Sequence, residues 1–267
     1  MEVVLVIAAL VVLPLAVDFL SILGRLRLRA DAGGPADRGV MIYVESIRWL
    51  GVRWGLRSVV AGFRRGAFGG ECLYWRWHAA WRGWLVLPAI VSETMLEREA
   101  RRLAEFIVRR RSQRPRAPIY LVGYSCGGYL AVRALELLPR EVKVEAAGLL
   151  AAAIDPKRDL RTARSHLDGP MVITSSVLDW LIVGIGTLVF GTGDRRHALS
   201  VGMVGWRGPA AGKRRCRSLG DGGRIVEISW RPSFIRLGHL GGHFSVAAAP
   251  FIQRRFAPAI LSGAAGC

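Results

Sequence analysis

A chain of 267 residues is long enough for one large α/β domain and too short for two comfortable ones. Its hydrophobic fraction of 52% and charged fraction of 22% exclude a disordered chain, because there is ample apolar surface to bury in a core. The net charge of +18 would suit nucleic acid or an anionic membrane. The arginines are scattered, however, and the aromatic residues follow no known RNA-binding motif, which disfavours nucleic acid as a partner.

The N-terminal segment Val3–Leu23 is an almost uninterrupted apolar run. Its length matches a hydrocarbon core of ~30 Å at ~1.5 Å per helical residue, so we expect a single-pass membrane helix. Asp18 lies near one end, where it is expected to reach the membrane interface. The basic flank that follows predicts that the remaining domain is cytoplasmic. A cleaved signal peptide, with a secreted or periplasmic domain, and a buried helix of the globular domain are the alternatives.

The remaining sequence reads as an alternation of strands and helices. We divide the chain into an anchor with its basic flank at 1–29, a Gly- and Pro-containing linker at 30–38, and a globular domain at 39–267. The predicted strands are Val40–Val44, Cys72–Trp75, Ile119–Val122, Val144–Ala152, Met171–Ser175 and Ile225–Trp230, and the predicted helices are Ser92–Arg111, Cys126–Leu138 and Ala248–Ile260. This order predicts the α/β class, with a mostly parallel central sheet covered by helices on both faces.

One stretch of the domain carries a specific chemical motif. An apolar strand runs into Gly123-Tyr124-Ser125-Cys126-Gly127 and then into a helix. A serine at such a tight turn has strained backbone and points its hydroxyl out of the sheet. The Cys126 N–H, at the start of the helix, can face a developing oxyanion. An ordinary Gly-rich βα turn is the alternative, but a G-x-G-x-x-G fingerprint in the first βα turn and a phosphate-binding loop are both absent from the sequence.

With this motif the chain resembles the α/β-hydrolases of the esterase/lipase-like superfamily, from about Gly39 onwards. The resemblance implies an α/β-hydrolase fold with Ser125 as the nucleophile, followed in chain order by an acid and a histidine. Asp179 follows the strand Met171–Ser175, where the family carries its acid. Asp155, after the preceding strand, is the alternate acid and equally suits a turn before a proline.

The resemblance also implies a histidine base after the last strand. His243 lies directly before the last helix and follows two glycines, so it is the favoured base; His239, four residues earlier, is the alternate. The second oxyanion donor of the family comes from the loop after the first core strand, here Glu45 and Ser46. The H-G-G-G pattern of many lipases is absent there, and an inward-pointing Glu45 would oppose an oxyanion.

The resemblance therefore implies a serine hydrolase that acts on carboxylic esters, lipid esters included, through an acyl-enzyme. The alternative is a catalytically inactive α/β-hydrolase fold that serves as a membrane-bound binding or scaffold protein. The resemblance implies neither a metal nor an organic cofactor, and no two of the four cysteines have the C-x-x-C spacing of a zinc or redox motif.

Overall fold

The computed structural model of the chain describes residues 12–13, 16–21, 33–46, 55–77, 92–209 and 224–261. Six strands in these residues form one sheet in the order β2-β1-β3-β4-β5-β6, and every neighbouring pair is parallel. The strands are β1 (Val40–Val44), β2 (Glu71–Trp75), β3 (Ile119–Tyr124), β4 (Ala146–Leu150), β5 (Met171–Ser175) and β6 (Ile225–Ser229). The prediction of an α/β fold with a parallel sheet is confirmed.

Helices connect these strands and cover the sheet. The helices are α1 (Leu56–Arg65), α2 (Glu93–Gln113), α3 (Cys126–Glu136), α4 (Arg161–Ser165), α5 (Gly186–Phe190), α6 (Val201–Val204), α7 (Ala249–Phe251) and α8 (Ala257–Leu261). A π-helical turn, Leu181–Ile185, leads into α5, and a second one, Ile252–Phe256, joins α7 to α8. Short 3-10 turns lie at Ala36–Arg38, Pro232–Leu237 and Ser245–Ala247.

The core consists of two apolar layers, one on each face of the sheet. One layer lies under α2 and α3, and the other lies under α1 and the C-terminal helices. Strands β1, β4 and β5 are buried at all five of their positions, because both faces of a parallel sheet are covered. The strands all point the same way, so the loops that leave β1, β3, β5 and β6 meet at one edge of the sheet, where α/β folds bind ligands.

The structure describes the N-terminal segment only in part. No helix within the described ranges is long and apolar enough to cross a membrane, and much of the predicted span 3–23 lies outside them. Residues 12–13 and 16–21 are helical. The expectation that Asp18 reaches a membrane interface is wrong: Asp18 is 4% exposed and accepts hydrogen bonds from the Phe244 and Ser245 N–H groups of the globular domain. Two backbone donors satisfy this carboxylate in place of water.

Candidate active site

Ser125 occupies a strained turn between β3 and α3. Its φ of 54° and ψ of −120° lie in a region that L-residues rarely adopt. The Ser125 N–H donates to the Leu150 carbonyl at 2.8 Å, and the Ser125 carbonyl accepts from the N–H groups of Gly128 at 2.9 Å and Ala153 at 3.1 Å. The turn is thereby fixed both by the neighbouring strand β4 and by the first turn of α3.

The two glycines of the motif lie where no side chain fits. A Cβ on Gly123 would lie 2.5 Å from the Gly127 carbonyl oxygen, and a Cβ on Gly127 would lie 2.5 Å from the carbonyl oxygen of Glu45. Both distances are well inside the 3.0 Å that real Cβ atoms respect. The close approach of β1, β3 and α3 around Ser125 therefore requires glycine on both sides of the serine.

The structure brings His243 and Asp179 together. The His243 Nδ1–H donates to Asp179 Oδ2 at 2.7 Å, and the two side chains are 5% and 3% exposed. Asp179 lies in the turn that follows β5, where its N–H donates to the Ser176 carbonyl at 3.0 Å. Burial raises the pKa of Asp179, and the adjacent His243 opposes that rise. The bond fixes the orientation of the imidazole and leaves Nε2 as the ring nitrogen that can exchange a proton with another group.

His243 also lies next to the nucleophile turn. Its ring stacks on the ring of Tyr124, the residue before Ser125, with centroids 5.1 Å apart, and the Tyr124 hydroxyl donates to the His243 carbonyl at 3.1 Å. Within the described residues the Ser125 hydroxyl and the His243 ring form no hydrogen bond with each other. Such bonds are often long in substrate-free sites. Contact between Ser125 and His243 therefore stays a prediction.

The alternate residues have structural partners of their own. His239 is 2% exposed; its ring packs 4.7 Å from the Phe251 ring and 6.3 Å from the Phe234 ring, centroid to centroid, and its Nδ1 accepts from the Gly241 N–H at 3.3 Å. Asp155 closes the turn after β4, because its Oδ1 accepts from the Lys157 N–H at 2.9 Å. These contacts account for both residues as parts of the fold.

The predicted oxyanion donors lie on either side of the turn. Cys126 is the first residue of α3, where backbone N–H groups have no partner within the helix. Burial raises the pKa of the Cys126 thiol to about 12, so this side chain stays a neutral thiol. Ser46 follows β1, but its N–H donates to Glu45 Oε1 at 3.2 Å and is not free for an oxyanion as expected.

The Glu45 side chain points into the protein. It is 1% exposed, and its Oε1 accepts from the Tyr43 hydroxyl at 3.1 Å, while Oε2 has no hydrogen-bond partner within the described residues. Burial raises the pKa of Glu45 to about 7, and the bonds from Tyr43 and the Ser46 N–H oppose that rise. The raised pKa favours the neutral carboxyl of Glu45, which reduces the negative charge behind the oxyanion loop.

Sequence reasoning missed an apolar surface beside the acid. Six apolar side chains close to Asp179 in the chain are between 43% and 65% exposed: Val177, Leu178, Ile185, Leu188, Val189 and Phe190. The apolar residues that flank Asp179 in the sequence could have indicated this surface. Such a run is equally typical of a buried helix, so it did not predict exposure. In the residues that the structure describes, no cluster of three or more His, Cys, Asp or Glu side chains could hold a metal ion.

No protein-family model matches the chain, and no curated protein is similar to it in sequence. The solved structures that are similar to the chain include the following three, all at low identity. A Trichoderma reesei cutinase in complex with a phosphonate inhibitor is 11% identical, with a TM-score of 0.44, and the match covers 92% of this chain and 88% of the cutinase. The esterase domain of a Rhodothermus marinus protein is 13% identical, with a TM-score of 0.45 and coverages of 85% and 91%.

A Pyrococcus horikoshii acylaminoacyl peptidase is 12% identical, with a TM-score of 0.44; the match covers 89% of this chain but only 39% of the peptidase. Several features of this chain itself identify its fold. Its parallel strands are in the order β2-β1-β3-β4-β5-β6, and β3 ends in a strained serine turn. The two strands that follow β4 lead to an aspartate and a histidine that are bonded to each other. On these grounds the chain adopts the α/β-hydrolase fold.

Proposed function

We propose that the chain is a serine hydrolase that cleaves carboxylic esters. The observation that carries this proposal is the bonded pair of His243 and Asp179, with His243 stacked beside the strained turn of Ser125. A general base must be held in one tautomer and lie next to the nucleophile that it activates. The bond to Asp179 supports the first condition, and the stacking of His243 on Tyr124, the residue before Ser125, supports the second.

The proposed reaction has two steps. Ser125 Oγ attacks the ester carbonyl while His243 Nε2 takes the hydroxyl proton, and the collapse of the tetrahedral intermediate releases the alcohol with that proton. A water molecule then attacks the acyl-enzyme, again with His243 as base, and releases the acid and free Ser125. Asp179 stabilises the imidazolium that forms in each step. The Cys126 N–H, at the start of α3, donates to the oxyanion.

The proposed substrates are esters with an apolar acyl or alcohol part. The support is the set of six exposed apolar side chains between Val177 and Phe190, a stretch of chain that contains Asp179. Exposed apolar surface of this kind is typical of ligand-binding and lipid-binding regions. An apolar substrate that covered this surface would add binding energy in proportion to the area removed from water.

A second candidate, a catalytically inactive binding or scaffold protein, is favoured by one observation. The Ser46 N–H, expected to be an oxyanion donor, is occupied by Glu45. Loss of one such donor costs about 10²–10³ in turnover in known serine hydrolases. With the Cys126 and Glu45 N–H groups as the remaining candidate donors, an enzyme of low activity and an inactive protein are both consistent with this loop.

Turnover of p-nitrophenyl esters of increasing acyl length distinguishes the two candidates. The hydrolase proposal predicts turnover that rises with acyl length and is lost in Ser125→Ala, because the hydroxyl is required for the covalent step. The matched control is Ser112→Ala, since Ser112 is an exposed helical serine and its removal should leave turnover unchanged. Background turnover that is equal in wild type and Ser125→Ala would reject the enzyme and favour the scaffold.

We also propose that the N-terminal segment attaches the chain to a membrane, with the globular domain in the cytoplasm. Apolar side chains of its described part are exposed and available to lipid: Val12, Leu13, Val17 and Leu20. The buried contact of Asp18 with the domain restricts the form of attachment. It leaves residues 3–17 for the membrane, and fifteen residues at ~1.5 Å each would span about 22 Å as a helix, which is shorter than a ~30 Å hydrocarbon core. Attachment in the membrane interface therefore fits these contacts better than a full span.

Sequential washes of isolated membranes test this attachment. An interfacial helix should resist high salt, because its apolar contacts are not screened, and should be released by alkaline carbonate. A spanning helix would stay in the pellet after both washes. Leu20→Glu should weaken the attachment, whereas the control Ile235→Glu, at an exposed apolar position in another part of the chain, should not. A mature protein that begins near residue 30 would identify a cleaved signal and an exported domain.

A further inference from the structure

The N-terminal helical segment contacts the loop that carries His243. Asp18 Oδ2 accepts from the Phe244 N–H at 2.9 Å, and Asp18 Oδ1 accepts from the Ser245 N–H at 3.0 Å. Each oxygen of one carboxylate thus binds one of the two backbone donors that directly follow His243, across 226 and 227 residues of chain. Hydrogen bonds to an ionised acceptor are shorter and about twice as strong as neutral ones.

The Asp18 side chain is closely packed. The side chain is 4% exposed, and the Phe19 ring meets the Phe244 ring edge to face at 5.9 Å. A Cβ on Gly242 would lie 2.7 Å from Asp18 Oδ1 and closer still to the other carboxylate atoms. Gly242 therefore lacks a side chain at the point where the carboxylate enters the loop.

These contacts bracket the backbone of His243. On one side, the Tyr124 hydroxyl donates to the His243 carbonyl at 3.1 Å. On the other side, Asp18 holds the next two N–H groups. Because the backbone is fixed on both sides, the ring can keep its bond to Asp179 and its position over Tyr124 at the same time. The Asp18 charge also adds to burial in raising the pKa of Asp179.

We propose that Asp18 is a positioning residue of the hydrolase site: its carboxylate holds the backbone after His243 in the orientation that aims the imidazole at Ser125. The inference rests on the proposed hydrolase function. It makes the N-terminal segment a part of the active-site scaffold as well as an attachment to the membrane. Displacement of a catalytic group by about 1 Å can cost roughly 100-fold in rate, so loss of these two bonds should affect the chemical step more than substrate binding.

The substitutions Asp18→Asn and Asp18→Ala in the full chain test this role, with Asp37→Asn as the matched control. Asparagine keeps the volume of Asp18 but has one acceptor oxygen for two backbone donors, so its effect isolates hydrogen bonding from packing. Asp37 is 90% exposed and loses the same charge. We would measure inactivation by a fluorophosphonate over a range of concentrations, which separates the maximal rate from the binding constant, together with hydrogen exchange of the peptide that contains Phe244 and Ser245.

For both Asp18 variants we expect a maximal inactivation rate roughly 100-fold lower, a similar binding constant, and roughly tenfold or more faster exchange of the two amides. The control should match wild type in all three. Equal rates and equal exchange in Asp18→Asn and the control would overturn the inference while leaving the hydrolase proposal intact. If wild type does not react at all, the hydrolase function fails; faster exchange in Asp18→Asn would then make Asp18 a structural contact only, which overturns the positioning role.

A variant on the opposite side of the contact covers the case in which the Asp18 variants fold poorly. Gly242→Ala places a methyl group against the carboxylate and should displace it, with the same loss of maximal rate. In the Asp18→Ala background the methyl group has room, so Gly242→Ala should add little further loss. Independent, additive losses from the two substitutions would contradict a shared contact.

Discussion

The backbone strain at Ser125 makes a quantitative prediction about stability. Ser125→Ala keeps a Cβ at φ 54° and ψ −120°, whereas Ser125→Gly removes it. A non-glycine residue in a sparsely populated region costs roughly 1–3 kcal/mol. Glycine makes the unfolded chain more flexible, which costs about 0.4–1 kcal/mol in stability. The free energy of unfolding of Ser125→Gly should therefore exceed that of Ser125→Ala by up to about 2.5 kcal/mol.

The measurement is urea unfolding of both variants, with thermal unfolding as a check. For a chain of this size, 1 kcal/mol corresponds to roughly 2–4 °C in Tm. The same pair of substitutions at Ser112, in helix α2, is the matched control. There the glycine variant should be less stable than the alanine variant by up to about 1 kcal/mol, because glycine disfavours helix. If glycine is the less stable residue at both positions, Ser125 is not strained and the turn has been misinterpreted.

Three further predictions concern the surroundings of this turn. Gly127→Ala should lower the free energy of unfolding by about 1–3 kcal/mol, whereas Gly186→Ala, whose Cβ would come no closer than 3.4 Å to its neighbours, should be neutral or stabilising; equal effects in urea unfolding would contradict the tight packing at Gly127. His239→Ala should reduce stability by about 2 kcal/mol or more through a cavity between two phenylalanine rings, and His243→Ala should abolish ester turnover with less effect on stability; the reverse pattern would exchange their roles. Burial raises the pKa of Glu45 from 4.5 to about 7. Between these two pH values the native state binds more protons than the unfolded state. The contribution of Glu45 to the free energy of unfolding is therefore fully present below pH 4.5 and is lost as the pH rises through 7. Relative to Glu45→Gln, wild type should lose up to about 3 kcal/mol over that range, and parallel pH profiles of the two proteins would contradict the raised pKa.

Local patterns were sufficient to predict the sheet. The bounds of β1 and β5 are those that the apolar runs predict, because a strand buried on both faces has clear ends at glycine and proline. Helix α3 ends at Glu136, two residues before the predicted end. Helix α2 begins one residue after the predicted start, because Ser92 is its N-cap and accepts a hydrogen bond from the Met95 N–H.

The missed features depend on contacts that are distant in sequence. Helix α1 has glycine and arginine among its apolar residues, and these obscured the helical spacing of its apolar positions in the sequence. The role of Asp18 was misjudged because hydropathy describes a segment by its average. The position of the Asp18 side chain depends instead on hydrogen bonds from two backbone N–H groups that are 226 and 227 residues away. The inward turn of Glu45 depends in the same way on its buried contact with Tyr43.

Mass mapping of a fluorophosphonate adduct tests the central claim most directly. The full chain would be treated with the probe, digested and analysed for the modified residue. We predict one adduct, on the peptide that contains Ser125, which is absent in Ser125→Ala and forms far more slowly in His243→Ala. A folded wild-type protein without an adduct on Ser125, or with an adduct that persists in Ser125→Ala, would contradict the assignment of Ser125 as the nucleophile.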